Sequence, residues 1–375
     1  AALPWAAAMI IGVDQALLDL VVHVDADVAI FERYGIERNT QCLADHRHTE
    51  LFQDLIGRAY LDDDDAGGQA ANGGPSGRPH AASNAGDKKR ARSRGISAIS
   101  EASSSLPRVR RTPGGMVANA LRAAAWSHKQ QRGGGDVAAD KLITPSLKMM
   151  GMVADDYAGD RIREELVSAG VEPLLAVRAP LGGESKEDAA LSLSEGTGLC
   201  CCLIVGKERT MVTELGAGKT LELGGAVWEM RMKEALVGYY PQPHLPKILL
   251  TSAFYAQADN DGAKAMLAWA KRPREDGRPT ALLAFAISAQ WCCNLPMVQE
   301  LAREADILFA NEPEIVELAE ALRKAGALPK ESASDSETSL RLVAGWKAHG
   351  WVIATRGSKS VGALEGGPAG AGRTP

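Results

Sequence analysis

A chain of 375 residues, 45% of them hydrophobic, has ample material for a buried core. Its formal net charge of −5 excludes the basic surplus of a nucleic-acid or anionic-membrane binder, so a small molecule is the expected partner. No apolar run is long enough to span a bilayer, and the opening Ala1-Ala2-Leu3-Pro4-Trp5 lacks the basic segment of a signal peptide. Cys42, the run Cys200-Cys201-Cys202 and the pair Cys292-Cys293 show no C-x-x-C spacing, which fits a reducing, cytoplasmic setting better than a zinc site or a disulfide framework.

Residues 8–13 read as a buried strand, followed by a turn-like Asp14-Gln15-Ala16 and the pair Leu17-Leu18 before Asp19. Alternation from Leu20 to Val24 predicts a half-exposed strand, and Leu51, Leu55 and Ile56 fall at helical spacing. Residues 62–112 open with four aspartates, run through Gly, Ser, Asn and Pro, and include the basic stretch from Lys88 to Arg94. Such a composition cannot offset its chain entropy by apolar burial, so it reads as a disordered surface insertion. The basic stretch has the composition of a nuclear-localisation signal as well as of a solvated loop.

Order is expected again from Gly114, with a helix from Val117 to about Trp126 and a strand from Leu147 to Val153. A helix over 160–169 ends at Gly170. Two apolar runs, Leu199–Val205 and Thr210–Leu215, flank Gly206-Lys207-Glu208-Arg209 and predict a β-hairpin. Strands are expected near 247–251, 281–287, 306–309 and 351–354, and helices near 260–271, 297–304 and 312–325. This alternation predicts an α/β fold with a doubly wound, mostly parallel sheet, to which the hairpin and the early strand add a smaller sheet.

Gly216-Ala217-Gly218-Lys219-Thr220 ends like a phosphate-binding loop, but Thr213 stands where that motif needs its first glycine; a turn after the hairpin is the better reading. Asn311-Glu312-Pro313-Glu314 has the spacing of a capping box. It also follows a strand at the sheet edge where ligands and metals gather. Gly114-Gly115 ahead of a helix containing Asn119 lets backbone approach a ligand closely, or simply makes a turn.

These signals occur in a fixed order. Gly12 to Asp19 resembles the G-x-G-N-P-L-L-D opening of the adenosine kinases of the ribokinase-like (PfkB) family, and Leu43 to Phe52 is similar to their L-A-x-x-x-H-x-E-L-F. Gly114 to Asn119 matches G-G-x-x-x-N, Gly151 to Gly159 resembles G-x-I-G-x-D-x-x-G, and Gly196 to Cys202 resembles a T-G-x-C lid hairpin. Ile307 to Glu314 is similar to I-L-F-G-N-E-x-E, and Thr355-Arg356-Gly357 to a T-x-G nucleotide segment.

The resemblance implies one ribokinase-like kinase domain across 1–375, with a small β lid from about 20–44 and 196–215. It implies a monomer that phosphorylates the adenosine 5′-hydroxyl with ATP and Mg²⁺ in purine salvage. Another nucleoside or sugar kinase, or a non-catalytic nucleoside-binding protein, is the alternative. Asp19, Gln15, Gly114, Gly115, Asn119, Phe254 and Trp291 would bind substrate, Asn311, Thr355, Arg356 and Gly357 the nucleotide, and Glu314 the metal. Two departures stand out: Gln15 replaces the usual Asn, and Ala286 and Gln290 interrupt N-L-S-A-P-F. No base-bearing G-A-G-D follows Thr355, so no catalytic base is assigned; the chain is expected to be an inactive fragment lacking its C-terminal part.

Overall fold

The computed structural model describes residues 9–24, 29–58, 108–133, 145–179, 195–237, 247–329, 335–357, 359 and 361–367. Its strands, in chain order, begin with β1 (Met9–Val13), β2 (Leu17–His23), β3 (Gln41–Leu43), β4 (Val109–Gly114), β5 (Ser146–Ala154) and β6 (Glu172–Arg178). They continue with β7 (Thr197–Val205), β8 (Glu208–Gly216), β9 (Lys247–Ser252), β10 (Leu282–Ala286), β11 (Ile307–Asn311), β12 (Trp351–Thr355) and β13 (Gly362–Glu365). The helices are α1 (Ala29–Arg33), α2 (49–58), α3 (Met116–Gly133), α4 (Tyr157–Ala169), α5 (Ala226–Leu236), α6 (Ala253–Ala258), α7 (Asn260–Lys271), α8 (Pro296–Glu304), α9 (Glu312–Lys324) and α10 (Ser336–Trp346).

Eight strands form one sheet in the order β13-β12-β11-β10-β9-β1-β5-β6, parallel except for the antiparallel edge pair β12–β13. Its strands are runs of apolar residues such as Met9-Ile10-Ile11 and Leu282-Leu283-Ala284-Phe285, as expected for strands covered on both faces. Trp228, Met266, Leu301, Leu318 and Val343 pack from α5 and α7–α10 on one face. Leu55, Leu121 and Ile162 pack from α2, α3 and α4 in a second core that also takes in Leu18, Leu20, Leu203 and Val212 of the smaller sheet. Helices on both sides of a mostly parallel sheet make the expected doubly wound architecture.

The smaller sheet has the order β3-β8-β7-β2-β4. Its hairpin β7–β8 closes through Gly206-Lys207, with Gly206 in the left-handed region (φ 61°) that a tight two-residue loop requires. The sequence boundary at Gly114 is corrected here: residues 109–112, assigned to the insertion, are strand, because β4 pairs antiparallel with β2 from Val109 to Gly114. Residues 62–107 of the insertion lie outside the described residues. Residues 217–220 form a short 3-10 turn after the hairpin, as read from the sequence.

The C-terminal end of α8 is held from a distance. Lys347, 1% exposed, donates through Nζ to the carbonyls of Ala302 at 2.7 Å and Ala305 at 2.8 Å. These are carbonyls that the helix itself leaves unpaired. Replacing Lys347 by methionine keeps the length of the stem but strands both acceptors, and should cost about 2–4 kcal/mol in urea unfolding. An unchanged midpoint would mean that water satisfies the helix end.

Candidate functional site

β1 is the strand at which the sheet order changes direction: β5 pairs on one side of it and β9 on the other. Such a switch point opens a crevice beyond the carboxyl ends of the strands, where ligands of doubly wound folds bind. Gln15 follows β1 and Phe254 follows β9, so both stand at this crevice. Gln15 is buried, its Nε2 donates to the Phe254 carbonyl at 3.1 Å, and its Oε1 is buried without a partner. The Phe254 ring meets that of Trp291 at a centroid distance of 5.9 Å and a 43° tilt, and the Trp291 Nε1 is also buried without a partner. The Phe254–Trp291 ring pair is thus accompanied by one unpartnered buried acceptor, on Gln15, and one unpartnered buried donor, on Trp291 itself.

Asp19 lies on β2 of the smaller sheet. In the antiparallel ladder Leu17 opposes Gly114 and Asp19 opposes Thr112. The Asp19 carboxylate lies directly over the Gly114 Cα; a Cβ there would collide with both carboxylate oxygens. Gly115 adopts φ 85°, and a Cβ on it would come within 2.9 Å of the Gln15 carbonyl. Neither glycine therefore has room for a side chain: Asp19 fills the space at Gly114 and the Gln15 carbonyl that at Gly115. Asn119 lies one turn into α3, where its Oδ1 accepts from Arg122 Nη1 at 3.3 Å. Burial pushes the Asp19 carboxyl up to about 6, opposed by the charges of Arg209 and Arg122.

The β7–β8 hairpin is tied to the large sheet by another carboxylate. Asp156, 1% exposed, accepts from Gly159 N–H at 2.8 Å as the N-cap of α4, from Thr197 N–H at 2.7 Å and from Thr197 Oγ1–H at 2.7 Å. Thr197 Oγ1 in turn accepts from Ala154 N–H at 2.9 Å. The first residue of β7 is thereby locked to the end of β5.

Farther along the strand ends, Asn311 and Thr355 are direct register partners on β11 and β12. Asn311 and Glu314 make a reciprocal capping box: Asn311 Oδ1 accepts from Glu314 N–H at 2.9 Å and Glu314 Oε2 accepts from Asn311 N–H at 2.8 Å. Burial pushes the Glu314 carboxyl up to about 7. Among the described residues no group of three or more His, Cys, Asp or Glu converges to hold a metal directly. A single carboxylate with one oxygen in the cap suits a contact to Mg²⁺ through a bound water, which that ion retains readily. Arg356 Nη2 donates to Glu337 Oε2 at 2.6 Å, and Gly357 takes φ 60°.

The twelve residues thus fall into two groups: Gln15, Phe254 and Trp291 follow β1, β9 and β10 at the carboxyl edge of the large sheet, with Gly115 against Gln15, Asp19 of the smaller sheet over Gly114, and Asn119 on α3; Asn311, Glu314, Thr355, Arg356 and Gly357 lie farther along that edge, at and just after the ends of β11 and β12. A cavity of about 580 Å³, lined among others by Leu267, Lys271, Arg303, Leu322 and Trp346, lies on the outer helices and contains none of them. Sequence reading missed Asp14, a buried carboxylate directly after β1 (2% exposed). Its signal was an acidic residue directly after a buried strand.

No protein-family model matches the chain. Among solved structures it is similar to an adenosine kinase from Anopheles gambiae in complex with P1,P4-di(adenosine-5) tetraphosphate, at a TM-score of 0.61 and 18% identity, covering 96% of this chain and 80% of that one. It is likewise similar to the apo adenosine kinase of Trypanosoma brucei brucei (TM-score 0.59, 20% identity, 95% and 81% covered). A probable sugar kinase from Rhizobium etli matches with a TM-score of 0.57 at 14% identity, with 96% and 76% covered. The chain has the ribokinase-like fold that these adenosine kinases and sugar kinases share.

Proposed function

We propose that the chain belongs to a nucleoside kinase that takes adenosine as acceptor and ATP as donor. The observation that carries this reading is the meeting of Asp19, Gly114 and Gly115 with the Gln15–Phe254–Trp291 wall at the β1/β9 switch point. An ionised carboxylate accepts two hydroxyl donors at once, which suits a ribose diol. An aromatic shelf with a spare donor and acceptor suits a purine base. Asn311, Thr355, Arg356 and Gly357 stand along the same edge at a place suited to the phosphates and nucleotide. Mg²⁺, held through water by Glu314, would neutralise phosphate charge during transfer. None of these residues is assigned as the base that takes the 5′-hydroxyl proton. The same proposal carries a role in purine salvage, as a monomer in the cytoplasm or nucleus.

Calorimetric titration of the 375-residue chain with adenosine tests the reading. Saturable one-site binding is the expected result, and no heat at millimolar adenosine would sink it. The metal role has its own test. Glu314→Gln should weaken Mg-ATP binding about tenfold without weakening metal-free ATP binding or lowering the melting temperature, because glutamine still completes the capping box and carries no buried charge. Equal Mg-ATP affinity in both proteins would leave Glu314 as a helix cap only.

A further inference from the structure

Asp14 is a buried ionisable group for which the proposed chemistry has no use. It lies at the end of β1 among four elements. Its Oδ1 accepts from Gln15 N–H at 2.9 Å and from Ser252 Oγ–H at 2.7 Å, and the Val117 N–H at the start of α3 also stabilises the charged form. Its own N–H donates to the Met150 carbonyl of β5 at 3.2 Å. Ser252 is the N-cap of α6, its Oγ accepting from Tyr255 N–H at 3.4 Å. The next residue of that helix but one from the cap is Phe254, whose carbonyl receives Gln15 Nε2. Asp14, Gln15, Phe254 and Ser252 therefore close a ring, joined by hydrogen bonds and two short stretches of backbone.

We propose that Asp14 is a positioning residue: its carboxylate couples the end of β1 to α6 and so fixes the wall formed by Gln15 and Phe254. This rests on the reading of that wall as part of a nucleoside site. The groups facing the carboxylate are all donors, so the ionised form is the one they fit. A proton on it would place an O–H among donors and release one of them. Among the described residues no compensating cation faces it: α6 contributes Ser252 and the Tyr255 phenol, which is itself pushed far up by burial and by Asp259 and Asp14. β9 contributes Thr251, β5 Met150 and α3 Val117, all neutral. Burial accordingly holds the Asp14 carboxyl up at about 6. Ligand affinity should then be full above pH 6 and fall below it.

The test is adenosine calorimetry on the full chain between pH 5 and 8. Wild type should bind about fiftyfold more weakly at pH 5 than at pH 7.5, because Asp14 and Asp19 both lose their charge over that range. Asp14→Asn should bind about tenfold more weakly already at pH 7.5, retaining only the acid limb that belongs to Asp19. Where Asp14→Asn does not fold, Ser252 decides: Ser252→Ala should lose three- to tenfold in affinity at pH 7.5, and Ser252→Thr, which restores the hydroxyl, should recover it. Wild-type affinity in Asp14→Asn, or in Ser252→Ala, overturns the proposal. A ligand-free arm keeps it separate from the nucleoside reading. Hydrogen exchange across residues 253–258, corrected for intrinsic chemistry, should quicken below pH 6 in wild type and lose that response when Asp14 or Ser252 is replaced. That response without adenosine binding would overturn the proposed function but uphold the coupling; its absence in wild type overturns the coupling.

Discussion

Replacing Asp19 by alanine should weaken adenosine binding by about 2–4 kcal/mol, the worth of two hydrogen bonds to a charged acceptor. The same change should make the ligand-free protein more stable. Asp19 titrates near 6 in the folded chain, whereas an unfolded aspartate titrates near 3.9. Between those values the folded state binds more protons, so stability is highest in acid and falls as pH rises towards 6. Above pH 6 the buried charge is a standing cost, on the order of 1–2 kcal/mol after allowing for partial solvent contact. Alanine removes it. Calorimetric affinity and urea midpoints, both at pH 7.5, check the two halves. Unchanged affinity would reduce Asp19 to an ordinary strand residue of the smaller sheet.

Asp156→Ala should be the most destabilising of the changes considered, at about 3–5 kcal/mol. It removes three hydrogen bonds to one carboxylate, including the N-cap of α4. It also leaves the buried Thr197 N–H without an acceptor, which costs more than the bond itself contributed. Because Thr197 begins β7, the loss should reach the β7–β8 hairpin as well as α4. Urea unfolding gives the magnitude, and hydrogen exchange should show β7 and β8 loosened ahead of β9–β11. A cost below about 1 kcal/mol would mean that water replaces the carboxylate.

Much of this was legible in the sequence, where the signals are local. The β7–β8 hairpin declares itself by two apolar runs around Gly206, and α4 by a periodic stretch ending at Gly170, which indeed caps it at φ 88°. The capping box at Asn311–Glu314 was readable from spacing alone. β4 was not, because Arg110, Arg111 and Pro113 give it no strand signature; it exists through its pairing with β2. β6 and α10 also escaped the reading, although Asp335 caps α10 by accepting from Thr338 N–H. In the proposed site, the order along the chain pointed to the Gly-Gly turn and to Asp19, which the fold brings into contact. Asp14 was read as a turn residue. Its burial is created by Ser252, 238 positions away in sequence, and by Val117, neither of which a local pattern can point to.

The parallel pairing of β2 with β7 also has a consequence in time. Leu17 lies beside Gly198 in that ladder, so the two are made about 180 residues apart. At a synthesis rate of about 5–20 residues per second, β2 waits roughly 10–35 seconds on the ribosome for its partner. Through that interval the hydrophobic side of Leu18, Leu20 and Val22 is without the Cys201 and Leu203 it will pack beside. Closing so long a loop carries its entropic cost before any contact rewards it, so the smaller sheet should be a late and slow event of folding. The nascent chain is then most in need of a chaperone between the emergence of β2 and that of β7, and synonymous slow codons just before residue 197 should raise aggregation more than the same codons after residue 216.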